Sequence, residues 1–383
     1  MKIYIQTIRK NKSIRKIFNF LKLFFHYLSR KFNSKKRNNS KINFVVEKAN
    51  WSIKWDGIYM KKSLNKKYGE NLIELSNIPL INSKKKVIHF GSQYMWVDWS
   101  GFISTRNKYV VSFFHGKYED GTTASKHLDD FIETKDSLYR VITASTLILK
   151  RLKNWGIPNS KLTLIPIGVD TNLFSVPSIT KKKRIRKKLG FKDHEIVIGS
   201  FQKDGIGWSD GNLPKYIKGP DLFINSVDLI SKEFPVVVLL TGPARGYVKN
   251  QLKDRRIKFK HIFLNCYEEI VDYYHALDLY IISSREEGGP KGIVESMASG
   301  VPLVSTNVGM ASDFLVDNIN GALVQSFEPE EIAKKSIKIL SNQSKDNLIK
   351  QARSDVMKAD WKVVADMHWE KVYLPALKEL SEK

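Results

Sequence analysis

The chain has 383 residues, of which 42% are hydrophobic, so it suits two folded cores of about 150 residues each, and general disorder is excluded. Its single cysteine, Cys266, excludes an intramolecular disulfide and a cysteine-rich metal site, and a reducing cytosol is the simplest setting. The formal net charge of +25 indicates an anionic partner, either nucleic acid or a membrane surface.

The positive charge is concentrated at the start of the chain. Residues 1–40 carry 12 Lys and Arg and no acidic residue, which leaves 25 − 12 = +13 for the remaining 343 residues. Between Ile14 and Phe32, apolar residues recur every three or four positions, which predicts an amphipathic helix. The predicted apolar face consists of Ile14, Ile17, Leu21, Phe24, Leu28 and Phe32.

A basic amphipathic helix of this kind fits the surface of an anionic bilayer, where each Lys or Arg contributes about 1 kcal/mol. Lys22 interrupts the apolar run, which falls short of the roughly 18 residues of a spanning helix, and no signal-peptide cleavage site follows. We therefore interpret residues 1–40 as a membrane-surface arm. One alternative is a helix packed on the protein with solvated charges. Nucleic acid is disfavoured, because the segment carries no recognised binding motif.

After the arm, short apolar runs alternate with helix-like segments, which is the pattern of parallel sheets covered by helices. We expect a first domain over residues 41–177, and a short linker after Phe174 that runs into a basic helix. The strands predicted for this domain are Ile42–Val46, Lys86–Phe90, Tyr109–His115, Arg140–Ala144 and Leu162–Ile167.

A second domain is expected over residues 178–359. Its predicted strands are Ile196–Phe201, Val236–Thr241, Lys258–Leu264, Leu279–Ser283, Leu303–Ser305 and Ala322–Val324. Residues 204–214 contain four Gly or Pro and no apolar period, so they are predicted to form a loop. The aromatic segment 360–383 is predicted to be helical and to pack back on the first domain.

The strongest functional signal lies between Tyr280 and Gly309, where the sequence reads YIISSREEGGPKGIVESMASGVPLVSTNVG. A buried strand is followed by a turn with Gly288 and Gly289, and a helix is predicted from about Lys291. The free N–H groups of a helix start bind anions, and glycines let a phosphate approach the backbone. Lys291 is unfavourable for the helix dipole itself but favourable beside a bound diphosphate.

Two acidic residues flank this helix start, with seven residues between them. Glu295 lies within the predicted helix, where a carboxylate can accept both hydroxyls of a ribose. Glu287 lies in the turn, where it can hold a sugar beyond the phosphates. Spacing alone is a weak signal, but together with the strand, the double-glycine turn and the small-residue run after the helix it is strong.

This combination resembles the family 4 retaining glycosyltransferases, whose fold is GT-B. Four further stretches resemble the family in order, at residues 141–145, 164–174, 218–223 and 313–321. The resemblance covers roughly residues 86–375. It implies an α/β protein with two facing Rossmann-like domains and a cleft between them, here preceded by the basic amphipathic helical arm. The first domain is then the acceptor side and the second binds the nucleotide sugar.

The resemblance also implies a role for each matching residue of the second domain. Glu295 holds the ribose hydroxyls of a nucleotide sugar, and Glu287 holds the hydroxyls of the donor sugar. Backbone N–H groups around Gly288 and Gly289 hold the diphosphate or the sugar, and Lys218 reaches the phosphates. The alternative for Lys218 and the two acids is a solvated surface position.

One residue of the first domain is assigned in the same way. His115 resembles the family's histidine that faces the reacting sugar, so the resemblance gives catalytic roles to His115 and Glu287. The alternative for His115 is a core histidine whose hydrogen bonds are satisfied within the protein.

The sequence departs from the family at three places. Ser200 follows the glycine where the family has Gly-Arg, and Lys203 is the candidate for the missing charge, although it lacks the fork of a guanidinium. Pro290, which has no N–H, replaces the last glycine of the usual turn, and Lys291 is the candidate to compensate. Residues 49–56 replace the glycine-rich loop expected after the first strand, which leaves the acceptor unassigned.

The resemblance implies transfer of a hexosyl or related unit from a nucleoside diphosphate sugar to an acceptor hydroxyl with retention of configuration. The leaving phosphate then takes the acceptor proton, with no protein nucleophile. No Asp-x-Asp occurs in the chain, so we expect no obligatory metal and no other cofactor.

The expected partners are a nucleotide sugar, a glycan or lipid-linked acceptor and, through residues 1–40, an anionic membrane surface, without nucleic acid. The expected location is cytoplasmic, peripheral at the inner face of the cell membrane, in cell-surface polysaccharide or glycolipid synthesis. One alternative is a sugar-nucleotide 2-epimerase of the same fold, which needs no acceptor. The other is a non-catalytic basic protein that binds membranes or nucleic acid and has no affinity for sugar nucleotides.

Overall fold

The computed structural model describes residues 12–32, 40–48, 52–207, 209–342 and 345–382. The remainder of the predicted arm, residues 1–11 and 33–39, lies outside the described residues. The chain divides into two compact units. Unit 1 comprises Met1–Ala144, Ile148–Ile165 and Trp361–Lys383, and unit 2 comprises Ser145–Leu147 and Pro166–Asp360.

Unit 1 is built on a parallel sheet of six strands in the order β2-β1-β3-β4-β5-β6. Inner strands such as β1 and β3 are buried along their whole length, as expected when helices cover both faces of a parallel sheet. The strands are β1 (Ile42–Val45), β2 (Ile73–Ser76), β3 (Val87–Phe90), β4 (Lys108–Ser112), β5 (Arg140–Thr143) and β6 (Leu162–Leu164). Edge strand β2 is missing from the predicted strands, because only Ile73 of its four residues is buried and no apolar run marks it.

Helices surround this sheet. Those before the last strand are α1 (Lys12–Phe32), α2 (Ser52–Tyr68), α3 (Gln93–Trp99), α4 (Thr122–Glu133) and α5 (Thr146–Asn154), whose first residues belong to unit 2. The chain returns to unit 1 with α14 (Trp361–His368) and α15 (Leu374–Ser381), joined by a π-helical turn. Ring stacking holds this return, since Trp361 lies on Tyr59 at 5.8 Å and Trp369 on Tyr68 at 4.6 Å between ring centroids.

Two predicted strands of unit 1 extend three residues too far. The strand predicted to reach His115 ends at Ser112, because the Gln93 side chain forms hydrogen bonds with the backbone that follows. Its amide accepts from Phe114 N at 3.3 Å and donates to His115 O at 2.8 Å. The strand predicted to reach Ile167 ends at Leu164. Pro166, which follows shortly after, has no N–H for a strand ladder.

Helix α1 contacts the rest of unit 1 along a narrow stripe. Leu23 is buried in the hydrophobic core, and the Asn19 side chain donates to Asp98 O at 3.0 Å. Arg30 forms an ion pair with Glu74 at 2.5 Å. Within the described part of the chain, no helix combines the length and apolar character needed to cross a membrane.

Unit 2 contains a second parallel sheet of six strands, in the order β12-β11-β10-β7-β8-β9. Its strands are β7 (Ile196–Ser200), β8 (Val236–Thr241), β9 (Lys258–Ile262), β10 (Leu279–Ile282), β11 (Leu303–Thr306) and β12 (Ala322–Val324). Its helices are α6 (Ile179–Leu189), α7 (Pro220–Ser231), α8 (Gly246–Asp254), α9 (Ile270–His275), α10 (Lys291–Ala298), α11 (Ala311–Phe314), α12 (Pro329–Ser341) and α13 (Lys345–Asp355). The two six-stranded parallel sheets with their helices confirm the predicted α/β class.

A largely buried polar network lies in the core of unit 1. His89 on β3 contacts the Tyr373 hydroxyl through Nδ1 at 2.6 Å and Ser112 Oγ through Nε2 at 2.9 Å. The ring of His368 stacks on that of His89 at 6.0 Å between centroids. Burial lowers the pKa of His368 to about 4, and burial together with His368 lowers the pKa of His89 well below its usual value.

Because both histidines are buried in the neutral form, we expect the free energy of unfolding of unit 1 to decrease in acid. In the unfolded chain a histidine binds a proton near pH 6.5, whereas both buried rings stay neutral to lower pH. Their contribution is therefore fully present above about pH 6.5 and is lost as the pH falls towards 4. We expect His368 alone to lower the free energy of unfolding by roughly 3 kcal/mol over that range.

Tryptophan fluorescence during urea unfolding measures this effect, because every tryptophan except Trp208 lies in unit 1. When the pH falls from about 7 to about 4, the variant His368→Phe is expected to lose less stability than the parent protein. An equal loss in both proteins contradicts the assignment.

Candidate active site

The predicted functional turn lies directly after strand β10 in unit 2. Residues 283 and 284 are fully buried, the turn follows, and helix α10 begins at Lys291. Pro290 is the N-cap residue, in agreement with a helix predicted from about Lys291. Ligands of open α/β sheets bind beyond the carboxyl ends of the strands, so this turn lies at the expected edge of the sheet.

Glu287 in this turn forms an ion pair with Lys218, with 2.6 Å between Oε1 and Nζ. Ser284 Oγ donates to the same carboxylate oxygen at 2.9 Å. Both members of the pair are largely buried, so each charge is held in place. The structure thus brings together two predicted site residues that are 69 positions apart in the chain.

The position of Lys218 depends on the glycine that follows it. Gly219 is the N-cap of α7 and has a left-handed backbone with φ +59°. A Cβ added there would lie 1.8 Å from Ser283 O, so no other residue fits without movement of the backbone. Ser283 Oγ also donates to Gly219 O at 2.8 Å. The end of β10 and the start of α7 are therefore pressed together.

A second contact fastens the same two segments. Arg285, in the turn after β10, binds the carboxylate of Asp221 with two guanidinium nitrogens at 2.8 and 2.6 Å. Asp221 lies in the first turn of α7, where an acidic residue is favourable for the helix dipole. The arginine lowers the pKa of Asp221 against the opposing effect of burial.

Glu295 in α10 is 4% exposed and accepts hydrogen bonds from two tyrosines. Tyr274 OH donates to Oε2 at 2.9 Å, and Tyr267 OH donates to Oε1. Burial and the charge of Glu295 raise the pKa of Tyr274 well above its usual value, so this hydroxyl remains a donor. Neither tyrosine was identified from the sequence, although their spacing of seven residues is compatible with one helical face.

The two remaining predicted lysines also lie in unit 2. Lys291 Nζ lies 5.2 Å from the ring centroid of Tyr267, the tyrosine whose hydroxyl binds Glu295. Lys203 is half-buried after β7, and burial lowers its pKa. Gly288 and Gly289 form the turn itself. Gly309 packs closely on it, since an added Cβ would lie 2.9 Å from the carbonyl carbon of Gly288.

A guanidinium group does approach Ser200, where the family motif has arginine. Arg245 donates to Ser200 O at 2.6 Å and to Ser200 Oγ at 3.2 Å, and it forms an ion pair with Asp204 at 3.0 Å. Both charged side chains of this pair are fully buried. Arg245 therefore has a structural role and does not present its charge to a ligand.

His115 is the one predicted site residue that belongs to unit 1. Its backbone carbonyl accepts from Gln93 Nε2 at 2.8 Å, and its ring lies 6.4 Å from that of Tyr94. Tyr94 in turn stacks on His127 at 4.2 Å. This aromatic group was not identified from the sequence. The other predicted site residues all lie in unit 2.

The described residues contain no group of three or more His, Cys, Asp or Glu side chains that could hold a metal ion, and independence from metal stays a prediction. What unit 2 does bring together is a pair of carboxylates on either side of a glycine turn and a helix start, with lysines beside them. Such a set can bind the hydroxyls of two sugar rings and the phosphates between them.

Comparison with known proteins supports this interpretation. Residues 181–355 match the sequence profile of glycosyl transferases group 1. The lipopolysaccharide core biosynthesis mannosyltransferase LpsB of Rhizobium meliloti is 31% identical over 168 residues, which cover 42% of this chain and 43% of that protein. The UDP-Gal:alpha-D-GlcNAc-diphosphoundecaprenol alpha-1,3-galactosyltransferase of Escherichia coli is 24% identical over 211 residues, which cover 54% and 52%. The matches thus span about half of these relatives.

A solved structure shares the fold over most of its length. The crystal structure of Anabaena Alr3699/HepE in complex with UDP and glucose has a TM-score of 0.70 and 19% sequence identity, and the match covers 87% of this chain and 99% of that one. The chain is therefore an α/β protein of the GT-B fold class. The match of residues 181–355 to the glycosyl transferases group 1 agrees with the family that the glutamate motif predicts.

The packing around Gly219 predicts a large effect of one added methyl group. We expect Gly219→Ala to destabilise unit 2 by about 1–3 kcal/mol more than Gly190→Ala. Both glycines have a left-handed backbone, with φ +59° and +77°, so both variants share the conformational cost of about 1 kcal/mol. Only at position 219 does the new Cβ meet the backbone, since nothing lies within 4 Å of it at position 190.

Urea unfolding followed by circular dichroism compares the two variants with the parent protein. Equal destabilisation by both contradicts the close packing of α7 on the end of β10.

Proposed function

We propose that this protein is a glycosyltransferase that moves a sugar from a nucleoside diphosphate sugar to an acceptor hydroxyl with retention of anomeric configuration. The observation that carries the proposal is the placement of Glu287 and Glu295 on either side of the Gly288–Gly289 turn and the start of α10, in one continuous segment. The family match supports the reaction class. A uridine diphosphate sugar is the first donor to test, because UDP or a UDP-sugar is named for two of the similar proteins.

In this proposal Glu295 accepts the ribose hydroxyls and Glu287 accepts hydroxyls of the donor sugar. The chief catalytic task is to stabilise the negative charge that develops on the departing diphosphate. Lys218 and the backbone N–H groups at the start of α10 are the groups that face this charge. The ion pair with Glu287 holds Lys218 in position before the ligand arrives, at 2.6 Å. The proposed reaction uses no obligatory metal and no protein nucleophile.

The reaction is tested with Glu287→Gln, which keeps the shape of the side chain and removes its charge. We expect transfer of label from UDP-sugars to membranes of the source organism to fall about 100-fold, because the variant loses a charged contact to the reacting sugar. The matched control is Glu330→Gln, an exposed glutamate on α12, which is expected to leave the rate unchanged. Undiminished transfer by Glu287→Gln contradicts the proposal, as does isomerisation of the donor without any acceptor, which identifies an epimerase.

We further propose that α1 binds an anionic membrane surface, which places the protein at the cytoplasmic face of the membrane and its acceptor among lipid-linked or surface-polysaccharide precursors. The helix contacts unit 1 through Asn19, Leu23 and Arg30, which share one side. Outside this contact stripe, the helix carries large apolar residues that remain exposed. These are Ile14, Ile17, Phe18, Phe20, Leu21, Phe24, Phe25, Tyr27 and Phe32.

Two features favour a lipid surface as the occupant of this apolar face. The sequence of residues 1–40 contains 12 Lys and Arg and no acid, which complements an anionic bilayer. The exposed residues are large aromatic and aliphatic side chains, which the boundary between headgroups and acyl chains accommodates. Among the similar proteins, one is named for a lipopolysaccharide and one for a diphosphoundecaprenol substrate.

The double variant Ile17→Ser/Phe25→Ser tests the membrane proposal. These side chains are 63% and 64% exposed, so the variant is expected to fold normally. We expect its affinity for vesicles containing phosphatidylglycerol to fall by at least about tenfold, since two buried apolar groups are lost from the bilayer. The control Ile319→Ser changes an isoleucine of unit 2 that is 55% exposed and is expected to bind like the parent protein.

Flotation of the three proteins with anionic and with zwitterionic vesicles gives the bound fractions. Equal flotation of the double variant and the parent protein contradicts a role of this apolar face in membrane binding.

A further inference from the structure

The insert between β7 and α7 is a closed and ordered loop in its described part, residues 204–207 and 209–214. Lys215 N donates to Asp204 O at 2.7 Å, which closes the loop at its base. Ile206 N donates to Leu213 O at 2.9 Å just inside it. The chain therefore leaves the end of β7 and returns to almost the same place eleven residues later (Asp204 to Lys215).

The loop is fastened to unit 2 at the start of α8. Gly246 N donates to the carbonyl of residue 210 at 2.6 Å, and Tyr247 N donates to Gly211 O at 2.9 Å. These bonds satisfy two N–H groups that a helix start otherwise leaves open. The buried ion pair between Asp204 and Arg245 holds the base of the loop as well.

This closure brings three lysines into one neighbourhood. Lys203 immediately precedes the loop and Lys215 immediately follows it, so the bond at its base brings the backbones of these two residues close together. A single 3₁₀ turn then leads to Lys218, whose N–H donates to Lys215 O at 2.8 Å. Lys215 is the N-cap residue of this turn, and its side chain is close enough to Lys218 and Lys203 for both charges to act on it.

The cluster contains more positive than negative charge. Glu287, bound to Lys218, is the acid whose charge acts on Lys215, and three lysines with one glutamate have a formal charge of 3 − 1 = +2. Burial lowers the pKa of Lys215, and Lys218 and Lys203 lower it further, while Glu287 opposes them. Lys215 is thus a half-buried cation with two further lysines nearby. A pyrophosphate diester carries two negative charges, which match this excess.

We propose that Lys215, placed by the closed loop, is a third diphosphate-binding residue beside Lys218 and Lys203. The inference rests on the proposed function, since it names a further contact to the same donor. The chain has Ser200 where the family has a cationic arginine. We assign the role of that cation to Lys215 in the insert rather than to the buried Arg245. The bound group is the pyrophosphate of a nucleoside diphosphate or its sugar ester.

The test compares Lys215→Met with Lys215→Arg, and uses Lys232→Met as control, because Lys232 is an exposed lysine just after α7. Isothermal titration measures the affinity of the full chain for UDP, GDP, ADP and inorganic pyrophosphate. We expect Lys215→Met to lower the affinity for pyrophosphate, and for the nucleoside diphosphate that binds most tightly, by about tenfold each. This is the effect of losing one charge-assisted hydrogen bond. Lys215→Arg is expected to remain within about threefold of the parent protein, because it keeps the charge.

Circular dichroism of each variant shows whether it folds, and the side chain of Lys215 is not the group that closes the loop. If Lys215→Met binds the diphosphates as tightly as the parent protein and Lys232→Met, the inference about Lys215 is overturned while the proposed function stands. If Lys215→Met and Lys215→Arg lose affinity for the diphosphates equally, the proposed contact between the charge of Lys215 and the diphosphate is also overturned. If the parent protein binds none of the diphosphates, the proposed function fails and the inference with it.

Discussion

The contact between Gly219 and the backbone of Ser283 is the constraint on which the candidate site depends. It presses the start of α7 against the end of β10, so that Lys218, one residue earlier, reaches the turn that follows the strand. A side chain at position 219 would separate the two segments and remove the lysine from Glu287. The bidentate contact of Arg285 with Asp221 holds the same junction from outside. The geometry of the site is therefore set mainly by packing of the backbone.

Both carboxylates of the candidate site already have hydrogen-bond donors within the protein. Tyrosine hydroxyls bind Glu295 where ribose hydroxyls are proposed to bind, and the ammonium of Lys218 binds Glu287. A ligand must share or replace these bonds, so its affinity reflects the difference between two sets of hydrogen bonds rather than their sum. Tyr274 is fully buried and fixes one carboxylate oxygen of Glu295, whereas Tyr267 is only half-buried. The carboxylate oxygen that Tyr267 binds is therefore the one at which a ligand hydroxyl can replace a tyrosine.

Much of the fold and the centre of the candidate site could be predicted because they leave local marks in the sequence. Buried parallel strands appear as apolar runs, and the strand, glycine turn and helix around Glu287 and Glu295 are contiguous. Edge strand β2 leaves no such run, since three of its four residues are only half-buried. The tyrosines on Glu295 and the neighbourhood of Lys203 and Lys215 depend on tertiary contacts and loop closure. Spacing along the chain does not encode these directly, which is why Lys215 was not among the predicted residues.

The central claim is that the start of α10 binds a diphosphate between two carboxylates that hold the rings on either side. A crystal structure of the protein soaked with UDP tests this most directly. The account predicts phosphate oxygens on the N–H groups around Gly289 and on Lys218, with the ribose hydroxyls on Glu295. UDP bound elsewhere, or bound while Glu295 faces only the two tyrosines, would contradict it.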